Sequence, residues 1–342
     1  MADWCRTATG LDGFCGMSAR IELHCHLDGS VRVPTIAQLA EEQGVSLPGP
    51  VRDLAVAPAR PLSLPAYISR IDVALSVMQT GGALRRTAHE LVEDWARDGV
   101  VYGEARFAPQ LHQRRGLTLP QILDAVSEGL AEGAAATGVR TGLILCCLRP
   151  DPVTTSIRVA ELAAENAHRV SGLDLAGDEA IPAAPHAAAF RLAHEAGLPV
   201  TVHAGETQGP DSVRQALDEL GARRIGHGVR AVHDDALVDR LAREAVTLET
   251  CPTSNLQTGA VPSLAAHPAR RLMARGVPVT VSTDARTVSG TTLGDELAVL
   301  RRELGWTGAD DRSAQLSAAA AAFLPADRRE RLLRRLGSQS FS

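Results

Sequence analysis

Short apolar, β-branched runs alternate with longer amphipathic segments from one end of the chain to the other. A brief apolar run bounded by turn residues reads as a buried strand, and an apolar repeat of 3.6 residues as a helix with one covered face. Strands are predicted at Arg20–His24, Val100–Arg106, Arg140–Cys146, Gly172–Ala176, Pro199–His203, Arg224–His227, Ala245–Thr250 and Pro278–Thr283. Helical patterns follow them, among them Pro120–Ala136, Thr154–His168, Pro185–Ala196, Ser212–Leu220, Asp234–Glu244 and Pro268–Arg275. This succession of β-then-α units predicts an α/β fold, a parallel (β/α)8 TIM barrel; a doubly wound open sheet is the competing arrangement.

Two segments interrupt the repeat. Pro48–Thr80 inserts a loop and a helix after the first unit, at a strand end where a lid would sit. Within it Leu64, Tyr67, Ile68 and Ile71 recur at helical spacing; core packing is the preferred reading of that face and a substrate-covering lid the alternative. Thr307–Leu336 adds a C-terminal helical extension whose charges, Arg328–Arg335 included, read as a solvated packing helix. No linker divides the chain, so residues 1–18 are expected to form a flexible lead-in and 19–342 a single domain.

Composition narrows the function classes. The chain has 342 residues and a net charge of -5, with no basic stripe interleaved with aromatics, so nucleic acid is not expected as a partner. No apolar run is long enough for a bilayer and no export signal is read at the N-terminus, so no membrane partner and a cytoplasmic location are expected. The six cysteines form no C-x-x-C pair, which argues against a zinc ribbon or a thioredoxin-like motif. Every basic residue other than histidine is Arg. Schiff-base lysine chemistry, a P-loop lysine and a lysine-bridged metal pair are therefore excluded.

Candidate chemistry gathers at the predicted C-terminal strand ends, where barrel active sites are assembled. His24 and His26 stand at i and i+2 and can face the same side of the first strand. The fifth strand leads to His203 and Glu206, the sixth ends at His227, and the eighth runs into Asp284. Four imidazoles and two carboxylates buried together need a cation or a dense hydrogen-bond network. Such N and O donors favour zinc, with iron, cobalt and manganese also compatible. Glu104 and Arg106 alternate along the second strand and read as a structural ion network. The other histidines, His89, His112, His168, His186, His194, His233 and His267, are expected to be surface or capping residues. Cys25 is expected to pack behind the two ligands, and Asn255 to order its loop.

Six stretches in order resemble the adenosine deaminase family of the amidohydrolase superfamily: Glu22–Ser30, Asp174–Glu179, His203–Glu206, Arg224–Gly228, Cys251–Asn255 and Ser282–Asp284. The resemblance implies that His24, His26, His203 and Asp284 bind one Zn2+ per chain. It also implies that Glu206 protonates ring nitrogen N1 of a 6-aminopurine and that His227 orients the bound water and stabilises its charge. Asp284 doubles as a candidate proton acceptor, as does a neutral His227. The Gly177 N–H would contact ring N3, Asp28 a ribose hydroxyl, and Asp178 the substrate.

The implied reaction converts adenosine or 2'-deoxyadenosine to the inosine product plus ammonia, by attack of an acidified water on C6. A modified adenosine such as aminodeoxyfutalosine, or adenine, is the alternative substrate, and a catalytically dead nucleoside-binding protein the third reading. One departure bears on substrate choice. The family's second acid after the eighth strand, which meets purine N7, is Ala285 here; Arg286, Asp178 or a water is the expected substitute.

Overall fold

The computed structural model describes residues 19–337. The lead-in expected for residues 1–18 lies outside the described residues. Strands β1 (Arg20–His26), β2 (Val100–Phe107), β3 (Arg140–Leu148) and β4 (Gly172–Ala176) pair in parallel in that order. So do β5 (Thr201–Ala204), β6 (Arg224–His227), β7 (Thr247–Thr250) and β8 (Val279–Val281). Parallel bridges Leu173↔Val200 and Cys25↔Asp284 join the two halves. At the second seam His26 N donates to the Asp284 carbonyl at 2.6 Å and Asp284 N to the His24 carbonyl at 2.9 Å. The sheet closes, so the arrangement is the (β/α)8 barrel and not the open sheet.

Helices cover the outside of the barrel with apolar faces. The longest of those before β2 and β3 are Gly81–Arg97 and Leu119–Thr137. The second is fixed at its start by Thr118, which forms a capping box with Gln121. Trp95 presses on β2 at Gly103, where a Cβ atom would stand 2.6 Å from the indole. Only glycine permits that approach, and an alanine there would push the helix off the sheet.

The barrel interior is polar at its centre. Arg106, Asp174, Arg224, Glu249 and Thr201 are all essentially inaccessible and interlock. Arg106 reaches Asp174 at 3.1 Å and Glu249 at 2.8 Å, while Arg224 reaches Glu104 and Glu249, each at 2.6 Å. The ion network expected around Glu104 and Arg106 is therefore present and wider than two residues. At the N-terminal end of the barrel the extension, helices Gly308–Ala321 and Ala326–Gly337, plugs the opening. Gln315 accepts from the Ile21 N–H at 2.7 Å, and Leu332 and Leu336 pack with Ile21, Leu23 and Tyr102. Its charged face stays outside, as expected of a packing helix.

The insertion is more broken than one helix. It holds short turns at Val51–Ala55, Leu64–Ile68 and Asp72–Val77, with a 3-10 turn between the last two. Pro65 starts the middle turn under a Ser63 cap.

Candidate active site

At the C-terminal mouth a cavity of about 520 Å³ is lined by His26, Asp28, Gly177, Asp178, His203, Glu206, His227 and Asp284. All but one of the residues expected to bind metal, catalyse or bind substrate line it directly. The exception, His24, lies just behind with no accessible surface. A wider cleft of about 1510 Å³ at the opposite end, under the extension, contains none of them.

His24, His26, His203 and Asp284 each offer one ligand atom, and these atoms all lie within 4.8 Å of one another. The closest approaches are 3.1 Å between the Nε2 atoms of His26 and His203, and 3.4 Å from Asp284 Oδ1 to Nε2 of both His24 and His26. Donors bound tetrahedrally at about 2.0–2.1 Å from zinc stand about 3.4 Å apart, so the spacing fits one ion. The chemistry of the donors fits as well. His24 Nε2 is buried with no hydrogen-bond partner. An orphan of that kind costs free energy unless it meets a cation or a proton.

The outer nitrogens of His24 and His203 are held from behind. Glu249 Oε2 accepts from His24 Nδ1 at 2.8 Å, and Asp174 Oδ1 accepts from His203 Nδ1 at 3.1 Å. A proton on Nδ1 leaves the Nε2 lone pair facing inward. Arg106 bridges the two carboxylates. Burial would raise the Asp174 pKa, but His203 and Arg106 outweigh it and hold that carboxylate well below its usual range. For Glu249, Arg106 and Arg224 do the same against burial. Ser254 Oγ donates to Asp284 Oδ2 at 2.6 Å, leaving Oδ1 toward the imidazoles.

Glu206 follows β5 on a turn built by Glu179. The Glu179 carboxylate accepts from the N–H groups of Gly205, Glu206 at 3.0 Å, Thr207 at 2.6 Å and Gln208 at 2.9 Å. Arg149 ties the same region down through the His203 carbonyl at 2.8 Å. Burial, with the nearby charge of Asp284, pushes the Glu206 pKa up to about 8. Its carboxyl is therefore an acid, and not a carboxylate, at neutral pH. Glu206 Oε2 is 3.7 Å from His227 Nε2. Burial lowers the His227 pKa to about 4, so the ring is neutral. Asp28 is also buried, with its pKa raised by desolvation to about 6.

His227 and Asp284 have φ angles of 62° and 60°, a left-handed backbone that non-glycine residues rarely adopt. Each turns the chain sharply at a strand end, and such strain recurs where a side chain must be aimed.

Three readings of the sequence change. Leu64, Tyr67, Ile68 and Ile71 line the cavity with the site residues instead of the general core. Arg286 faces away from the cavity, toward Asp98 at 3.2 Å, because the 286–289 turn directs it behind β1. Ala285 lines the cavity, as does Asp178, and sits in a small apolar cluster with Ala57, Tyr67 and Val288. It sits so close to Gly29 that a Cβ there would be 2.5 Å from its own. His112, His186 and His267 are buried instead of standing at the surface, and His267 Nδ1 caps the Ala269 N–H at the start of a helix. Their partners include the Met78 carbonyl, Ser156 and Asn255, with His112 Nε2 left without one, and none joins the ligand cluster. Cys25 is fully buried beside Ser30, as expected.

Glu249, Asp174 and Glu179 were not assigned these partners from sequence. For Glu249 and Asp174 a charged residue inside an otherwise buried short strand was the available signal; Glu179 lies in the loop after β4.

A parallel barrel whose mouth presents three imidazoles and a carboxylate to one ion defines a metal-dependent amidohydrolase. The model of the family described as adenosine deaminase matches residues 19–339. The chain is 38% identical to an adenosine deaminase of Enterococcus faecalis, over 92% of this chain and 94% of that one. It is 42% identical to that of Vibrio vulnificus, over 81% and 86%. Among solved structures, an adenine deaminase from Arthrobacter aurescens superposes with TM-score 0.88 at 28% identity, covering 94% of this chain and 98% of that chain. An Arabidopsis N6-mAMP deaminase gives TM-score 0.85 at 27% identity over 94% and 98%. An amidohydrolase from Burkholderia ambifaria, solved with bound Zn, shares the fold at TM-score 0.84 and 24% identity, over 94% and 93%. The chain belongs to the adenosine deaminase family, which is zinc-dependent.

Proposed function

We propose that this chain catalyses hydrolytic deamination of adenosine and 2'-deoxyadenosine to the corresponding inosines and ammonia. The observation that carries the reading is a buried carboxyl, Glu206, in one cavity with four side chains whose donor atoms converge where one ion could bind. Family membership and adenosine deaminase relatives near 40% identity support it.

His24, His26, His203 and Asp284 would hold the zinc, which supplies an acidified water and positive charge when bound. The remaining work falls to the chain. Addition at C6 breaks the ring's conjugation and drives negative charge onto N1. Glu206 meets it with a proton, which only a raised pKa leaves available near pH 7. Asp284, held in its ionised form and fixed by Ser254, would accept the proton lost by the attacking water. His227 faces the same space and stabilises the attacking oxygen. Gly177, Asp178 and Asp28 line the wall where the far ring edge and the sugar would lie. The apolar residues Leu64, Tyr67, Ile68 and Ile71 cover the base as a lid that excludes water.

A ring with N1 toward Glu206, after β5, turns its N7 edge toward β8 and β1, where Ala285 stands. This favours keeping a modified adenosine or adenine as a second substrate reading. Free buried cysteines at 25, 146, 147 and 251 accord with a cytoplasmic location.

The test is ammonia release by the zinc-loaded protein across adenosine, 2'-deoxyadenosine, adenine, 5'-deoxy analogues and aminodeoxyfutalosine. Turnover of the first two sustains the reading. Inactivity on both with turnover of another member overturns the substrate, and inactivity on all overturns the reaction.

A further inference from the structure

Hydrogen-bond accounting behind His227 leaves that ring one tautomer. A backbone N–H can only donate. The Cys251 N–H lies 3.3 Å from a side-chain atom of Asn255, which makes that atom the carbonyl Oδ1. His267 Nε2 approaches the same Oδ1 at 3.1 Å. The Ala269 N–H lies 3.3 Å from His267 Nδ1, so Nδ1 is the acceptor on that ring and Nε2 the donor. Two separate backbone donors thus agree on the direction of the chain. The Asn255 amide NH2 is then the group 3.0 Å from His227 Nδ1. An NH2 requires a lone pair opposite it, which puts the proton of the neutral ring on Nε2. His227, Asn255 and His267 are all buried, at 1%, 0% and 4% exposure, so no solvent competes for these bonds.

We infer that His267 and Asn255 are positioning residues that lock His227 as its Nε2–H tautomer, so that it enters the cavity as a hydrogen-bond donor and not as a base. Its Nε2 faces the cavity, 3.7 Å from Glu206, and its ring centroid is 4.9 Å from that of His24 and 5.2 Å from that of His203. A donor aimed there stabilises an oxygen that is gaining negative charge. It cannot take the proton that this oxygen loses, which leaves Asp284 as the acceptor. The chemical consequence rests on the deaminase reading; the tautomer does not.

The test uses the zinc-loaded full chain labelled with 15N-histidine, with the His227 signals assigned by their loss in His227→Gln. The wild type is expected to show a protonated Nε2 and an unprotonated Nδ1. Asn255→Asp keeps the shape but replaces the NH2 by an acceptor, so the proton moves to Nδ1. We expect kcat to fall roughly 10²-fold or more, as on loss of one transition-state donor, with KM much less affected. Should that variant not fold, His267→Leu removes one of the two anchors and gives signals of both tautomers. His267→Gln, which keeps an N–H donor, restores the single one.

A wild-type ring protonated on Nδ1 overturns the inference. So does a tautomer switch with unchanged kcat, or a fall in kcat without a switch. A wild type with the expected tautomer but no turnover of any aminopurine would overturn the deaminase reading and leave the locking intact.

Discussion

Glu249→Gln tests the layer beneath the metal ligands. Glu249 Oε2 accepts from His24 Nδ1 and from Arg106, both at 2.8 Å, while Oε1 faces Arg224 at 2.6 Å and Thr201 at 3.1 Å. Every neighbour is a donor. Gln has the right shape but carries one NH2, and in either orientation that NH2 meets two donors. Turned toward His24, it drives the ring to the opposite tautomer and takes the Nε2 lone pair away from the metal. Removing a supporting partner of this kind typically weakens metal binding 10- to 100-fold, about 1.4–2.8 kcal/mol. The change also leaves Arg106 and Arg224 short of a buried counter-charge, which costs about 3–5 kcal/mol of folding stability. All three side chains are solvent-free, so salt screening does not soften the effect. Zinc affinity is measured by competition with a chromophoric chelator and stability by urea unfolding of the metal-free protein. Zinc binding unchanged within twofold, in a variant that has lost stability, would refute the claim that Glu249 sets the His24 tautomer.

Three further outcomes are expected. The acid form of Glu206 predominates below its raised pKa, so adenosine kcat/KM should fall as pH rises through about 8; Glu206→Gln should retain zinc and lose roughly 10²- to 10⁴-fold in kcat, and a limb that rises instead would reverse the role. Glu296 is buried with its pKa raised by desolvation to about 7, so it favours the fold below about pH 4.5 and loses that contribution as pH rises through 7. Glu296→Gln should therefore gain up to about 3 kcal/mol at pH 8.5 and little at pH 4.5, read by urea unfolding at both; equal effects would dismiss the charge. Ala285→Asp should raise adenosine kcat/KM about tenfold by adding a hydrogen bond to the ring edge, and an unchanged or lower value would point to a substrate with a different group at that edge.

Strand positions were legible because each barrel strand is a short apolar run between turn residues. The ligands were legible because chemistry sits at strand ends. The predicted and observed spans of β4 and β6 coincide, and the others differ by one or two residues at an end. What escaped were partnerships. Glu249, Arg106, Asp174 and Arg224 lie on β7, β2, β4 and β6, and each alone in sequence is only a charge in an apolar run. Their meaning comes from barrel closure, which brings strand centres within contact. His267 carried no periodic signal because it lies in an irregular stretch between two turns, and its burial depends on Asn255, 12 residues away. The Leu64–Ile71 face satisfied a helical template, yet the 3-10 turn at Ser69–Ile71 interrupts it, and its apolar side lines the cavity instead of the general core.

The seam between the first and last strands has a consequence for biosynthesis. His24 and His26 emerge early from the ribosome, whereas Asp284 emerges some 260 residues later, and its backbone is hydrogen-bonded to both of theirs. Neither closure of the ring nor the complete ion-binding set can exist before that late segment arrives. The full ligand set therefore exists only once translation has passed residue 284, and a nascent chain stopped just short of it carries three imidazoles with no carboxylate to complete the set.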